Sequence, residues 1–110
     1  MNITELNKPL ISIVTSTYQA VELLPVTIKS IRNQKFKNFE WIIVDNASGD
    51  GTKDLIINNQ DIIKHWISEK DDGIYNAWNK ALKMVSGDWI IFIGAGDNFF
   101  SNDTLLLASE

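Results

Sequence analysis

The sequence predicts an α/β domain: an open, mainly parallel sheet flanked by helices. Three observations carry this. Four short apolar runs alternate with segments of helical periodicity. The runs lack strict polar alternation, as expected of strands covered on both faces. The connections are short, so each crossover helix returns the chain alongside the previous strand, which gives parallel pairing.

The elements follow in order. Leu10 to Thr15 is a β-branched apolar run after Pro9, ending in polar Ser16 and Thr17; it reads as a buried strand. Val21, Leu24, Ile28 and Ile31 recur at helical spacing, with Pro25 early, where proline is tolerated. A helix is expected from Val21 to Asn33. Glu40 to Val44 is the second strand, running into the turn formers Asp45 to Gly51. Thr52 to Asn58 reads as a short helix and Ile62 to Ile67 as the third strand. Ile74, Ala77, Trp78, Ala81, Leu82 and Val85 mark one helix face, with Gly87 as a plausible cap. Trp89 to Ile93 is the fourth strand. Ser101 to Thr104 resembles a helix start, with Leu105 to Leu107 behind it.

Composition narrows the function classes. The 110 residues suit one domain, and 45% hydrophobic content is ample for one core. A net charge of −4 with scattered Lys and Arg argues against a nucleic-acid binder and against a polybasic membrane patch. No cysteine is present, which excludes disulfides and thiolate metal sites. Met1 to Pro9 lacks a signal-like pattern, and Leu10 to Val14 is too short for a membrane span. A soluble cytoplasmic protein is expected.

Ligands of open α/β sheets bind beyond the carboxyl ends of the strands. The segments to inspect therefore offer Thr15, Ser16, Thr17 and Tyr18; Asp45, Asn46 and Ser48; Glu69, Asp71 and Asp72; Asp97 and Asn98. No glycine follows the first strand, so neither a dinucleotide fingerprint nor a Walker loop is present. A nucleotide here would be held by side chains and a metal. Asp45 can accept from a base N–H or a ribose hydroxyl, or can open a turn or cap the next helix. Asp97, behind Gly94-Ala95-Gly96, can bind a divalent cation bridging two phosphates, or is a turn aspartate. Asp72 is well placed as an N-cap. Asn76, Asn79 and Lys80 read as solvated, and Trp41, Trp66, Trp78 and Trp89 as mostly core. His65, the only histidine, reads as structural.

Four motifs also resemble a known family. Ile11 to Gln19 resembles the opening strand and loop of family 2 glycosyltransferases. Trp41 to Thr52 resembles their second signature, an aspartate followed by a Ser-x-Asp-Gly-Thr turn. Ser68 to Ala81 is similar to the third, and Gly87 to Asp97 to the strand leading into the metal-binding motif. The resemblance covers nearly the whole chain, with the motifs in the family's order. It implies a GT-A fold and transfer of a sugar from a nucleotide-diphosphate donor, usually with inversion.

Carried over by position, the resemblance has Thr15, Thr17 and Tyr18 hold base and ribose. Asp45 would accept the base N–H, most often of uracil, which implies a UDP-sugar. Asp72 would lie near the nucleoside, and Asp97 would hold Mg²⁺ or Mn²⁺ on the diphosphate. The acceptor implied is a growing glycan or a lipid-linked sugar, with the enzyme cytoplasmic or peripheral to the inner membrane face. Two departures stand out. The family's Asp-x-Asp motif keeps only its last acid, Asp97. Family members also run well beyond this length, with acceptor site and catalytic base later in the chain. Residues 1–110 are thus expected to be the donor-binding part, ending before the acceptor-binding half. No catalytic base is assigned, and an exposed sheet edge is expected to favour homo-oligomers. The alternative is a non-catalytic nucleotide-binding or assembly module. A nucleotidyltransferase would need a basic, Gly-rich first loop, which Thr15 to Ala20 lacks.

Overall fold

The computed structural model describes residues 9–70 and 74–97. β1 spans Ile11–Thr17, α1 Leu24–Arg32, β2 Phe39–Asp45, α2 Thr52–Asn58, β3 His65–Ser68, α3 Ile74–Leu82 and β4 Trp89–Phe92. The strands pair in parallel in the order β3-β2-β1-β4. The expected α/β architecture is present. From β1 the chain winds outward to β2 and β3, then crosses to the other side of β1 for β4. The switch point, where ligands of open sheets collect, therefore lies between β1 and β4.

The core forms because both faces of β1 and β2 are apolar. Ile11, Ile13, Trp41 and Ile43 meet Leu24, Ile28 and Ile31 of α1, Ile56 of α2 and Ile63. Val14, Ile42 and Val44 meet Ala77 and Ala81 of α3 on the other face. Small residues let α3 approach the sheet closely. Trp41 Nε1 donates to Thr15 Oγ1 (2.9 Å), so the indole is buried without an orphan donor.

Several boundaries differ from expectation for local reasons. Residues 21–23 form a turn before α1, where Leu23 and Leu24 N–H both donate to Ala20 O. β3 begins at His65, not Ile62, because Ile62 and Ile63 N–H still close the turn onto Asn59 O. α3 ends at Leu82, short of Val85, with Lys83 and Met84 in a turn. Gly87 is no helix cap. A Cβ there would lie 2.7 Å from Ser12 N, so glycine is needed where the α3–β4 connection crosses β1. The proposed helix start at Ser101 lies outside the described residues.

Coverage of the sheet is uneven, which corrects the expectation for the tryptophans. Trp41 is core and Trp66 half-buried, but Trp78 is exposed and Trp89 is 65% exposed on the edge strand β4. Ile90 and Phe92 of β4 and Leu82 of α3 are exposed as well. α3 sits mainly over β1 and β2 and meets β4 where the Trp78 and Phe92 rings lie 5.5 Å apart. His65 is exposed in β3. No described helix is long and apolar enough to cross a membrane.

At the amino end of the sheet, Glu40 is buried and its carboxylate accepts from Ser12 Oγ (2.6 Å), Ser86 N–H (2.6 Å) and Ser86 Oγ (3.0 Å). Gly87 N–H donates to Ser12 Oγ (2.8 Å). Burial alone would raise the Glu40 pKa. The hydrogen bonds from Ser12 and Ser86, with nearby His65, outweigh it and hold the carboxyl below its ordinary value. This cluster joins β1, β2 and the approach to β4, far from the carboxyl rim.

Candidate donor site at the carboxyl rim

The register places Thr17, Asp45 and Ser68 in one row across β1, β2 and β3. Asp45 gathers that row. Its Oδ1 accepts from Thr17 Oγ1 (2.6 Å) and Ser48 Oγ (2.7 Å). Its Oδ2 accepts from Ser48 N–H (2.9 Å) and Ser68 Oγ (2.8 Å). A carboxylate offers about four lone-pair sites, and here four donors fill them. Asp45 is also fully buried.

A second set of bonds stitches the β1–α1 loop to the β2–α2 loop. Gln19 N–H donates to Ser48 Oγ (2.8 Å), and Gly49 N–H donates to Gln19 Oε1 (2.6 Å). Asp50 accepts from Thr52 N–H (3.0 Å), Thr52 Oγ1 and Val21 N–H (3.2 Å). Ala20 N–H donates to Thr52 Oγ1 (2.9 Å). The Thr52 hydroxyl leads in holding the Asp50 carboxyl below its ordinary value, against a smaller opposing effect of desolvation. Gln19 and Ala47 adopt left-handed φ of 50° and 46°. Such backbone costs of order 1 kcal/mol or more at a non-glycine residue, so the surrounding bonds must hold it. Both strained residues lie in rim loops.

Residues 94–97 form the turn after β4. Asp97 N–H donates to Gly94 O (3.0 Å), and Gly94 N–H donates to Asp97 Oδ2 (2.7 Å). Gly96 occupies the third position at φ 95°, the sign that a type II turn requires there. Asp97 is exposed. A cavity of about 210 Å³ lies at the switch point, lined by Val14, Ser16, Trp78, Phe92, Ile93 and Gly94, the residue whose N–H holds the Asp97 carboxylate. Another cavity among the described residues, about 380 Å³, lies at the amino ends of β2 and β3 among Lys37, Glu40, Asp61 and Lys64. It is remote from the described rim loops, at the opposite end of the sheet.

The expected site residues thus separate. Tyr18 is 66% exposed just past β1, and Asp97 is exposed past β4, so both are open to solvent at the carboxyl rim. Thr15 is buried, with its hydroxyl accepting from Trp41 Nε1. Thr17 is buried against Asp45, whose carboxylate accepts from the Thr17 hydroxyl. Asp45 Oδ2 closes the turn that follows β2 by accepting from Ser48 N–H. Asp72, with Asp71 and Asn98, lies outside the described residues. Sequence reasoning passed over Gln19, Ser68 and Thr27. Thr27 had a signal: it falls between Leu24, Ile28 and Ile31 on the apolar stripe of α1, where a hydroxyl needs a partner.

The metal expectation can be weighed on the same geometry. No group of three His, Asp or Glu side chains capable of holding a metal occurs among the described residues. Asp97 could supply one carboxylate ligand, with one oxygen already oriented by Gly94 N–H. That fits a cation that takes its other ligands from phosphate and water, as Mg²⁺ commonly does.

Comparison with known proteins agrees with the geometry. The model of glycosyl transferase family 2 matches residues 12–107. A PGL/p-HBAD biosynthesis glycosyltransferase of Mycobacterium bovis is 34% identical over 103 residues, covering 88% of this chain and 39% of the relative. In fold, the chain is similar to the mannosyltransferase PcManGT of Pyrobaculum calidifontis, solved with GDP-Man and Mn²⁺. The TM-score is 0.82 at 24% identity, over 93% of this chain and 32% of that one. It is also similar to S. aureus TarS 1-349 in complex with UDP-GlcNAc, with TM-score 0.83 at 24% identity over 91% and 30% of the two chains.

Proposed function

The chain belongs to glycosyl transferase family 2, and on that premise we propose that it forms the donor-binding part of an enzyme that moves a sugar from a nucleotide diphosphate to an acceptor hydroxyl. The observation that carries this reading is the carboxyl rim. The rim loops are bonded together around Asp45 and Asp50, and the β1–β4 crevice reaches Gly94, whose N–H orients the exposed carboxylate of Asp97. The chain spans 39% of the M. bovis relative, so acceptor, catalytic base and turnover belong to this proposal.

The donor proposed is a UDP-sugar, and the acceptor a growing glycan or lipid-linked sugar. Tyr18 offers an exposed ring on which a base can stack. The bonded loops hold backbone groups ready without rearrangement, which lowers the ordering cost of binding. Asp97 would hold Mg²⁺ or Mn²⁺, which when bound would neutralise charge on the leaving diphosphate; the transfer is proposed to invert the anomeric centre. The Mn²⁺ in PcManGT supports a divalent ion; its GDP-Man also makes guanine the competing base. A cytoplasmic location, peripheral to the inner membrane face, is part of the same reading. So is self-association through the exposed apolar edge strand β4.

Calorimetric titration tests the core of the proposal. UDP is expected to bind more weakly than millimolar without metal and at least tenfold tighter with Mn²⁺, with GDP weaker than UDP. No binding of UDP at millimolar concentration, with or without Mn²⁺, would refute it.

A further inference from the structure

Thr27 sits at the middle of α1, three residues past Leu24, and is fully buried. A threonine hydroxyl in a helix commonly bonds back to the carbonyl one turn earlier. This one reaches across to the turn after β4, 67 to 70 residues away in sequence. Thr27 Oγ1 donates to Asp97 O (2.8 Å) and accepts from Gly96 N–H (2.9 Å). Gly94 O lies 3.4 Å away. One hydroxyl thus meets a donor and an acceptor in the same four-residue turn, whose own closure is Asp97 N–H to Gly94 O.

The neighbouring packing reinforces it. A Cβ on Gly96 would lie 3.3 Å from Leu23 Cβ, so the turn rests directly on the start of α1. The Asp97 side chain is then oriented by Gly94 N–H of the same turn. Without Thr27, Gly96 N–H would lose its acceptor and the Asp97 carbonyl its donor. The carboxylate would stay attached, but to a looser loop.

We propose that Thr27 is a positioning residue that holds the 94–97 turn against α1 and so presents the Asp97 carboxylate to a divalent cation on the donor diphosphate. It does not touch substrate. The metal half of this inference rests on the donor-site reading above, whereas the clamp itself does not.

Two variants of the full chain separate the parts. Thr27→Val keeps the shape and removes the hydroxyl; Thr27→Ser keeps the hydroxyl. Amide hydrogen exchange by NMR is expected to show Gly96 N–H exchanging about tenfold faster in T27V and near the wild-type rate in T27S. Unchanged Gly96 exchange in folded T27V overturns the clamp. UDP titration is expected to show about tenfold weaker binding of T27V in Mn²⁺, unchanged binding without metal, and recovery in T27S. Equal loss with and without Mn²⁺ means a general structural role and overturns the metal half. Wild-type chain blind to both UDP and Mn²⁺ refutes the donor-site reading and takes the metal half with it, while the exchange result still decides the clamp.

Discussion

Replacing Asp45 with asparagine or alanine separates a loop organiser from a base contact. The carboxylate now meets Thr17 Oγ1, Ser48 Oγ, Ser48 N–H and Ser68 Oγ. Hydrogen bonds to an ionised group contribute about 1.5–3 kcal/mol each, against about 0.5–1.5 for neutral pairs. Asn keeps one acceptor oxygen and turns the other into an NH₂ group. Its best orientation aims the oxygen at Ser48 N–H and Ser68. The NH₂ then faces Thr17 Oγ1 and Ser48 Oγ, and the latter already accepts from Gln19 N–H. Two bonds weaken and two must reverse or break, partly offset by removal of a buried charge. We expect D45N to cost about 2 kcal/mol. D45A, which leaves buried donors without an acceptor, should cost about 3–5 kcal/mol. That is a large share of the roughly 5–15 kcal/mol typical of a domain. In urea melts with a slope of about 1–3 kcal/mol per molar, the D45N midpoint should fall by about 0.7–2 M. If D45N instead melts like wild type while losing UDP binding, Asp45 is a base contact and the organiser reasoning is wrong.

Three further outcomes follow from the same structure. Because the Glu40 carboxyl is held below its ordinary value in the fold, its stabilisation is present above the unfolded-state range near pH ~4.3 and is lost as pH falls through the folded-state value. Urea midpoints between pH 3 and 7 should therefore drop more steeply in wild type than in E40Q, and parallel curves would exclude this linkage. Gly87→Ala should cost about 1–3 kcal/mol by overlap with the β1 backbone at Ser12, read as a lower melting temperature; a neutral change would show that the connection can move aside. Trp89→Lys should change stability by less than about 0.5 kcal/mol yet reduce association in light scattering, because the ring is exposed on the edge strand. Equal association in both forms would clear β4 of the role.

The residues differ in how far they could be read in advance. β1, β2 and β4 were legible because each is a continuous β-branched run flanked by turn formers. Ile62 and Ile63 were not, because an apolar pair looks alike in a strand and in a turn packed on the core. Gly87 looked like a cap because a glycine after a helical stripe often is one. Its actual constraint comes from Ser12, 75 residues away. The exposure of Tyr18 and Asp97 could be read from position alone, since a polar residue just past a strand end meets solvent.

Local sequence was enough to determine the order of elements, the parallel sheet and the rim where ligands gather. Periodicity and turn chemistry act over a few residues, and the handedness of crossovers does the rest. Tertiary structure decided which polar residues at that rim are spent on the protein itself. Asp45 as a ligand contact and Asp45 as a buried acceptor are identical in sequence; the difference is made by donors arriving from residues 17, 48 and 68. Trp41 and Trp89 likewise sit in similar apolar strands, and only strand order put one at the centre and the other at the edge. Burial and hydrogen-bond partners are properties of segments brought together from far apart, so they appear only once the sheet has formed.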